Sequence, residues 1–557
     1  MPGTLLWLVV AACATLAAEP SVPAPAGSVA EVSAAGIAAV LRGRVAEQRA
    51  GMPVRAGGED LISHVELPAI YADGGYAPLW QDPERVAALL ATLREVENDG
   101  LRSDDYHYGA LTRLAAHKDT ASAAERADFD LLATDALVTV LYHLYVGKVD
   151  PVSIEPNWNF GRHGVREREA LELASRAIAS GRIHESAAAA RPQHWRYQLG
   201  RKRLAEYRAL ASQGGWPALP PGPKLAPGMS DARVPTLRRR LAVTDDYAGP
   251  PSASEQYDAA LAQALKVFQA RHLLTADGVL GAATLRELNV PAAARVDQLR
   301  INLERGRWVL HEIGDEDLVV VDVAGFGVRY VRNRRTIWQA RAIVGRRYRQ
   351  TPVFRAEIDS VVFNPRWTVP PGILAKDVLP GLKRGEDVLA HKRLGLYTRE
   401  GRPVDPATVD WSRYSVGSFP FVLRQDAGEE NSLGRVKINF PNPYLVYLHD
   451  TPTRALFDKD LRSFSSGCIR VERPLELVEL LLGDPARWDA SAIRAVVDAG
   501  VTRTVRLPHH VPVLLIYWTA DEDDAGRVVF KRDVYGRDAR LRRALDEPFR
   551  FGTRVRA

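Results

Sequence analysis

Two segments organise this chain: Tyr444-Leu445-Val446-Tyr447-Leu448-His449-Asp450-Thr451, and then Arg462-Ser463-Phe464-Ser465-Ser466-Gly467-Cys468-Ile469-Arg470-Val471. The first has the alternating apolar rhythm of a strand and ends at a histidine. The second sets a cysteine directly after a glycine. The sequence holds two cysteines, and Cys13 lies in an N-terminal leader expected to be removed, which leaves Cys468 without a disulfide partner. Gly467 lets the backbone approach a substrate closely, and consecutive amides in a tight turn can face a developing oxyanion. Arg470 adds positive charge that favours a thiolate over a thiol, whose free pKa is about 8.5. His449 precedes Cys468 by nineteen residues, enough chain for a loop that returns it to the thiol as a base.

The competing reading makes Cys468 a small buried hydrophobe and His449 a satisfied histidine at a strand end. For an unadorned cysteine with a histidine somewhere else, that reading is the stronger one. Two details reverse the balance. A lone thiol in an exported protein is an oxidation liability, and this one follows a glycine and polar residues rather than sitting in an apolar run.

Both segments resemble the signature of the L,D-transpeptidases: a His, a gap, then Ser-x-Gly-Cys, an aliphatic residue and Arg or Asn. The x position, often His in that family, is Ser466 here. The resemblance implies that Cys468 is the acylated nucleophile and His449 its general base and acid. It further implies that the Gly467 and Cys468 amides hold the oxyanion and that the Asp450 backbone carbonyl orients the histidine ring. Arg470, Ser466 and Ser465 are the expected substrate-binding residues, with a structural ion pair the alternative for Arg470.

At 557 residues the chain is long enough for three or four domains. Apolar content of 46% and charged content of 25% are ordinary for a globular protein with ample core. A net charge of +6 and a pI near 9.2 suit an acidic partner such as a cell-wall polymer rich in stem-peptide carboxylates. Nucleic acid is not expected, because no recognition motif or dense basic stripe with interleaved aromatics occurs. Leu5 to Ala18 is an apolar run of signal-peptide length, although its n-region lacks Lys and Arg. A lipid anchor at Cys13 is the lesser alternative to ordinary cleavage. Both readings export the chain to the periplasm or cell envelope, and no later segment reads as a membrane span.

The expected organisation is a multidomain α+β chain. Residues 1–18 read as a signal peptide and 19–60 as a linker and N-terminal helix, the helix running from Ser33 to Arg49. Residues 61–228 read as a helical domain, with long helices expected from Phe129 to Val146 and from Arg191 to Leu210. Tyr76-Ala77-Pro78-Leu79-Trp80, Asp99-Gly100-Leu101 and Gly147-Lys148-Val149-Asp150-Pro151 resemble the scaffold domain of the larger Gram-negative members of the family. Residues 231–290 resemble the small three-helix peptidoglycan-binding repeat through Phe268-Gln269, Asp277-Gly278, Gly281, Thr284 and Leu288-Asn289. A purely structural spacer is the alternative there. A linker helix over 291–316 leads into a mainly antiparallel β catalytic domain over 317–498, where the apolar period changes from 3.6 to 2. Within it, residues 373–414 lose the strand rhythm and read as an inserted lid. Residues 499–557 read as C-terminal strands and tail.

The resemblance implies two-step acyl transfer on peptidoglycan, with a tetrapeptide stem as donor and a diaminopimelate amine as acceptor, giving 3→3 cross-links. It implies carbapenems as inhibitors and cell-wall synthases as candidate partners; no cofactor is expected, and no metal either, since the sequence lacks a clustered His/Asp/Glu ligand set with helix spacing and His509-His510 alone is not one. An L,D-carboxypeptidase and a non-catalytic wall-binding scaffold are the alternatives. A serine penicillin-binding enzyme is disfavoured, since no Ser-x-x-Lys occurs.

Overall fold

The computed structural model describes residues 33–549 apart from 51, 53, 64, 65, 161, 162 and 524. The expected leader, Cys13 and the linker near Ser21–Gly27 lie outside the described residues.

The N-terminal region is helical. Helix α1 (Ala34–Arg49) is capped by the Ser33 hydroxyl, which accepts from the Gly36 amide. Helix α2 (Ala123–Val146) begins six residues earlier than its apolar run suggests, because Ser122 and Glu125 close a capping box. Contrary to expectation, α2 is long and apolar enough to cross a membrane, yet 89% of its apolar window is buried inside the protein. It is the core helix of the region. The Asp130 carboxylate on α2 accepts from the Leu79 and Trp80 amides and the Tyr71 hydroxyl. That satisfies a buried acid and fixes the Tyr76–Trp80 loop. Helix α3 (Trp195–Ser212) starts four residues later than expected, after His194 caps it.

Three short helices follow: α4 (Val234–Ala242), α5 (Ala259–Arg271) and α6 (Ala282–Leu288). Leu237, Leu241, Leu265, Phe268 and Leu288 form their common core. The Gln269 side chain donates to Asp277, to the Val279 carbonyl and to Thr284, and it accepts from the Gly278 amide. The Gln, Asp-Gly and Thr of this repeat therefore hold its own turn together. Helix α7 (Ala292–Val309) packs along α3. Its buried Arg307 donates to the Asp99 carbonyl at 2.6 Å and to the Tyr197 hydroxyl at 2.9 Å. The connecting helix is thus part of the helical core.

The β-region contains β1 (Leu318–Asp322), β2 (Gly327–Arg332), β3 (Arg335–Gly345) and β4 (Phe354–Phe363). Asn333 and Arg334, with φ of 49° and 60°, make the tight β2–β3 hairpin turn. Next come β5 (Trp367–Thr368), β6 (Gly395–Tyr397), β7 (Val422–Gln425), β8 (Val436–Asn439) and β9 (Leu448–His449). The last are β10 (Ser463–Ser465), β11 (Ile469–Val471), β12 (Arg503–Ile516), β13 (Ala520–Glu522) and β14 (Val528–Phe530). The large sheet runs β10-β3-β11-β9-β8-β4-β12-β1-β2, and β2 also pairs with β3, so the sheet closes on itself. Most pairs are antiparallel; β9–β11, β3–β10 and β1–β12 are parallel.

Two boundaries differ from the sequence reading. Strand β12 pairs with both β4 and β1, so a division after residue 498 would remove a central strand of the sheet. The insertion is also larger than 373–414. Strands β5, β7 and β6 form a separate small sheet, and a second apolar core runs from Trp367 to Leu433. Its short strands flank helical turns, which hid them from a periodicity argument.

Candidate active site

Strand pairing brings the two decisive segments together. Leu448 pairs with Ile469 and His449 with Arg470 in parallel register, while Lys437 of β8 lies opposite His449. Leu448 and Ile469 are fully buried and point into the sheet's core. Alternation therefore puts Tyr447, His449, Cys468, Arg470 and Lys437 together on the outer face. Cys468 extends β11 by one residue, and the Ile469 amide donates to the Tyr447 carbonyl at 3.1 Å. Cys468 and His449 are diagonal neighbours on that face.

His449 is 5% exposed, and its Nδ1 lies 2.5 Å from the Asp450 carbonyl oxygen. A carbonyl demands a proton on Nδ1, which leaves Nε2 as the basic nitrogen. Burial, with Arg470 and Lys437 adding to it, pushes His449 down to about 3 against the pull of that carbonyl. The Asp450 side chain faces elsewhere, accepting from the Arg435 amide at 2.9 Å and from Arg454 at 2.7 Å.

Cys468 is half-buried, with Sγ 3.8 Å from the Leu445 carbonyl oxygen. Burial pushes its thiol up, outweighing the hydrogen bonds from Tyr447 and the charges of Lys437 and Arg470. The expectation that the charge of Arg470 favours a thiolate holds in direction. Arg470 pulls in that direction, but desolvation is the larger effect, and in the free protein thiol and imidazole are both neutral.

The turn before Cys468 differs from expectation in two ways. The Gly467 amide donates to the Ser465 hydroxyl at 3.1 Å, so it is already occupied and is not an open oxyanion donor. Among the described residues the Cys468 N–H meets no acceptor. Ser465 is buried, and its hydroxyl also donates to the Cys468 carbonyl at 2.6 Å. It braces the turn from inside and is not placed to touch a substrate. Gly467 has φ of +120°, a conformation that L side chains rarely adopt, and its carbonyl accepts from the Thr351 hydroxyl at 2.8 Å. Thr351 in turn receives the Gly345 amide, and its own amide donates to the Tyr535 hydroxyl.

Ser466 is exposed, and its hydroxyl accepts from Arg349 at 2.8 Å. Arg470 has no carboxylate within 4 Å among the described residues, and its buried Nε has no hydrogen-bond partner. The structural ion pair considered for it is absent there.

Sequence reasoning passed over four contributors. The Tyr447 hydroxyl is within hydrogen-bond reach of Cys468 and of Trp367, at the root of the insertion. Lys437 Nζ stands 4.2 Å over the Tyr447 ring. Arg349 and Thr351 reach the turn from the loop after β3. Tyr447 was within reach of sequence reasoning, since it lies two residues before His449, just ahead of β9. Lys437 needed the register of β8. Among the described residues no group of three or more His, Cys, Asp or Glu side chains converges as a metal site would require.

Comparison with known proteins agrees with this layout. Residues 316–503 match the L,D-transpeptidase catalytic domain, residues 65–204 match a scaffold domain, and residues 230–288 match a "Putative peptidoglycan binding domain". A protein of Haemophilus influenzae named "Putative L,D-transpeptidase" is 34% identical over 223 residues, which is 40% of this chain and 45% of that relative. The match thus spans less than half of the relative's length. A crystal structure of an L,D-transpeptidase from Xylanimonas cellulosilytica aligns at 16% identity and a TM-score of 0.16, over 53% of this chain and 100% of the other. One from Stackebrandtia nassauensis aligns at 14% identity and a TM-score of 0.22, over 52% of this chain and 94% of the other.

Proposed function

We propose that this chain, which carries an L,D-transpeptidase catalytic domain at residues 316–503, forms 3→3 cross-links in peptidoglycan through a thioester on Cys468. The observation that carries the reading is the pairing of β9 with β11. It sets Cys468 and His449 on one face, with the His449 Nδ1–H spent on the Asp450 carbonyl.

In this reading the Cys468 sulfur attacks the carbonyl between the L-centre of diaminopimelate and the terminal D-Ala of a tetrapeptide stem. His449 Nε2 takes the thiol proton as the carbon–sulfur bond forms. The same proton then goes to the amine of departing D-Ala as the carbon–nitrogen bond breaks. The Cys468 N–H is the donor left to meet the oxyanion. The amine of an acceptor diaminopimelate, deprotonated by His449, attacks the thioester and frees the thiol. Transfer of the proton from sulfur to imidazole need not await a preformed ion pair, because both groups begin neutral.

Arg470, which lacks a carboxylate partner among the described residues, is suited to a stem carboxylate. The exposed Ser466 lies at the same mouth. The basic surface, the wall-binding repeat and the apolar leader together support a setting in the periplasm or cell envelope. A carbapenem would acylate the same sulfur, its strained amide taking the place of the stem peptide bond.

The test is intact-protein mass after incubation with a tetrapeptide stem, followed by chromatography of the products. The expected result is an adduct on Cys468 equal to the stem less D-Ala, then a 3→3 dimer. An adduct that releases only tripeptide, with no dimer even when acceptor is abundant, would make the enzyme an L,D-carboxypeptidase. Absence of any adduct would leave a wall-binding scaffold.

A further inference from the structure

Cys468 Sγ lies 3.8 Å from the Leu445 carbonyl oxygen, and the segment that carries this carbonyl is held in an unusual way. Leu445 has φ of 55°, in the left-handed region that costs a leucine steric energy. Packing does not force it there, since the residue is 66% exposed. The conformation is imposed by Asn442. Its Oδ1 accepts from the Tyr444 amide at 3.1 Å and the Val446 amide at 3.2 Å. Its Nδ2 donates to the Phe440 and Val446 carbonyls at 2.7 and 2.8 Å. Both neighbours of Leu445 are thus tied to one side chain. Val446 is also buried, and the Tyr444 ring packs edge-on against Phe354. Strain of this kind persists only where the surroundings over-determine it, and it gathers at reacting centres.

The place to which the turn delivers this carbonyl has a chemical consequence. A backbone carbonyl carries two lone pairs, whereas a thiol is a weak donor. Among the described residues no backbone N–H donates to the Leu445 oxygen. Once Cys468 is acylated, its sulfur has no proton left to offer. A good acceptor then stands beside the thioester with unused lone pairs. The thioester carbon is bonded to that sulfur, so a nitrogen in attacking position, roughly 3–3.5 Å from the carbon, can sit within hydrogen-bond reach of the Leu445 oxygen.

We propose that the Leu445 carbonyl receives an N–H of the reacting nitrogen, and that Asn442 is the positioning residue that keeps the carbonyl there. The attacking amine brings two N–H bonds. As the carbon–nitrogen bond forms and the carbon–sulfur bond breaks, one proton passes through His449 to the departing sulfur. The other stays on nitrogen as the hydrogen of the new amide, and it donates to Leu445 throughout. Run backwards, the same relation describes acylation: the N–H of the scissile amide faces Leu445 while His449 supplies the second proton to the leaving D-Ala. The identity of the nitrogen rests on the function proposed above, whereas the placement of the carbonyl beside the sulfur does not.

The test compares two isomeric acceptors, D-alanine and sarcosine. Sarcosine carries its methyl group on nitrogen, so after giving one proton to His449 it has none left for Leu445. The full chain is acylated with a tetrapeptide stem, freed of released D-Ala by rapid desalting and mixed with each acceptor, and chromatography resolves the two amide products from tripeptide. D-Alanine is expected to be preferred at least about tenfold more strongly than in uncatalysed aminolysis of a small thioester, the loss due to one unmade hydrogen bond at a waiting acceptor. Asn442→Ala is expected to bring that preference back toward the solution value while the thioester still forms. Asn442→Asp, which keeps the two accepted bonds, is expected to fall between. A general loosening of the fold would slow both acceptors alike and leave their ratio unmoved. A preference in the unsubstituted chain no greater than in solution overturns the proposal without recourse to any variant, and so does an Asn442→Ala chain that keeps the full preference. A chain that forms no thioester on Cys468 overturns the function proposed above as well, which separates the two failures.

Discussion

Arg349, in the loop after β3, grips Asp377 of the insertion with two nitrogens at 2.5 and 2.9 Å, and the same guanidinium donates to Ser466 beside Cys468. The insertion is thus fastened to the catalytic turn by a pair that is largely shielded on the arginine side. A cover over a thioester biases its fate toward the amine and away from water. Arg349→Ala or Asp377→Asn should therefore raise the ratio of tripeptide to 3→3 dimer several-fold while Cys468 still acylates. The stability cost should stay within about 1 kcal/mol, as for a partly exposed ion pair. Chromatography of digested peptidoglycan reads the ratio, and an unchanged ratio would remove the insertion from the partition step.

Cys468→Ala should abolish adduct formation with tetrapeptide and with a carbapenem, with the unfolding midpoint nearly unchanged. Cys468→Ser should lose at least about a hundredfold in acylation, since a hydroxyl ionises far less readily than a thiol. Intact mass and circular dichroism distinguish the chemical effect from a folding defect. Cross-linking by the Ala variant would exclude this nucleophile.

The raised thiol predicts an alkylation profile. Reaction of Cys468 with iodoacetamide should climb with pH and show no plateau below the free-thiol pKa of about 8.5. A plateau near pH 6 would mean a thiolate–imidazolium pair in the resting enzyme, contrary to the burial of both groups.

His449 carries a pH-dependent stability signature of its own. Its folded pKa, about 3, lies below the unfolded value of about 6.5, so it is neutral in the fold. Its contribution is fully present above pH 6.5 and is lost as pH falls toward 3, at up to about 1.4 kcal/mol per pH unit. Urea unfolding at pH 7, 5.5 and 4 should show that slope, and His449→Gln should flatten it. A variant that keeps the full slope would place the acid sensitivity elsewhere.

Ser465 braces the turn through the Gly467 amide and the Cys468 carbonyl. Ser465→Ala should cost about 1–2 kcal/mol of stability, because two buried groups lose their partner. It should also slow acylation more than it weakens peptide binding, since the attacking sulfur hangs on that turn. Ser466→Ala, at an exposed position, should do neither to a comparable degree. Equal effects from the two serines would contradict the bracing role.

The sequence by itself determined what local chemistry can determine. Alternation in Tyr444–His449, the Gly467–Cys468 pair and the helix caps depend on neighbours a few residues apart, so they were legible without a fold. The helical region, the three-helix unit and the β-region were likewise readable from their motifs and their change of period. Only the tertiary structure decided that Gly467's amide is consumed by Ser465, that burial raises the Cys468 thiol despite Arg470, and that Lys437 faces His449. It also decided that β12 is a central strand and that the insertion owns a core reaching from Trp367 to Leu433. The physical reason is common to all of these. Desolvation, hydrogen-bond competition and strand register depend on atoms brought together from distant parts of the chain, and no spacing along the sequence encodes which of those effects prevails.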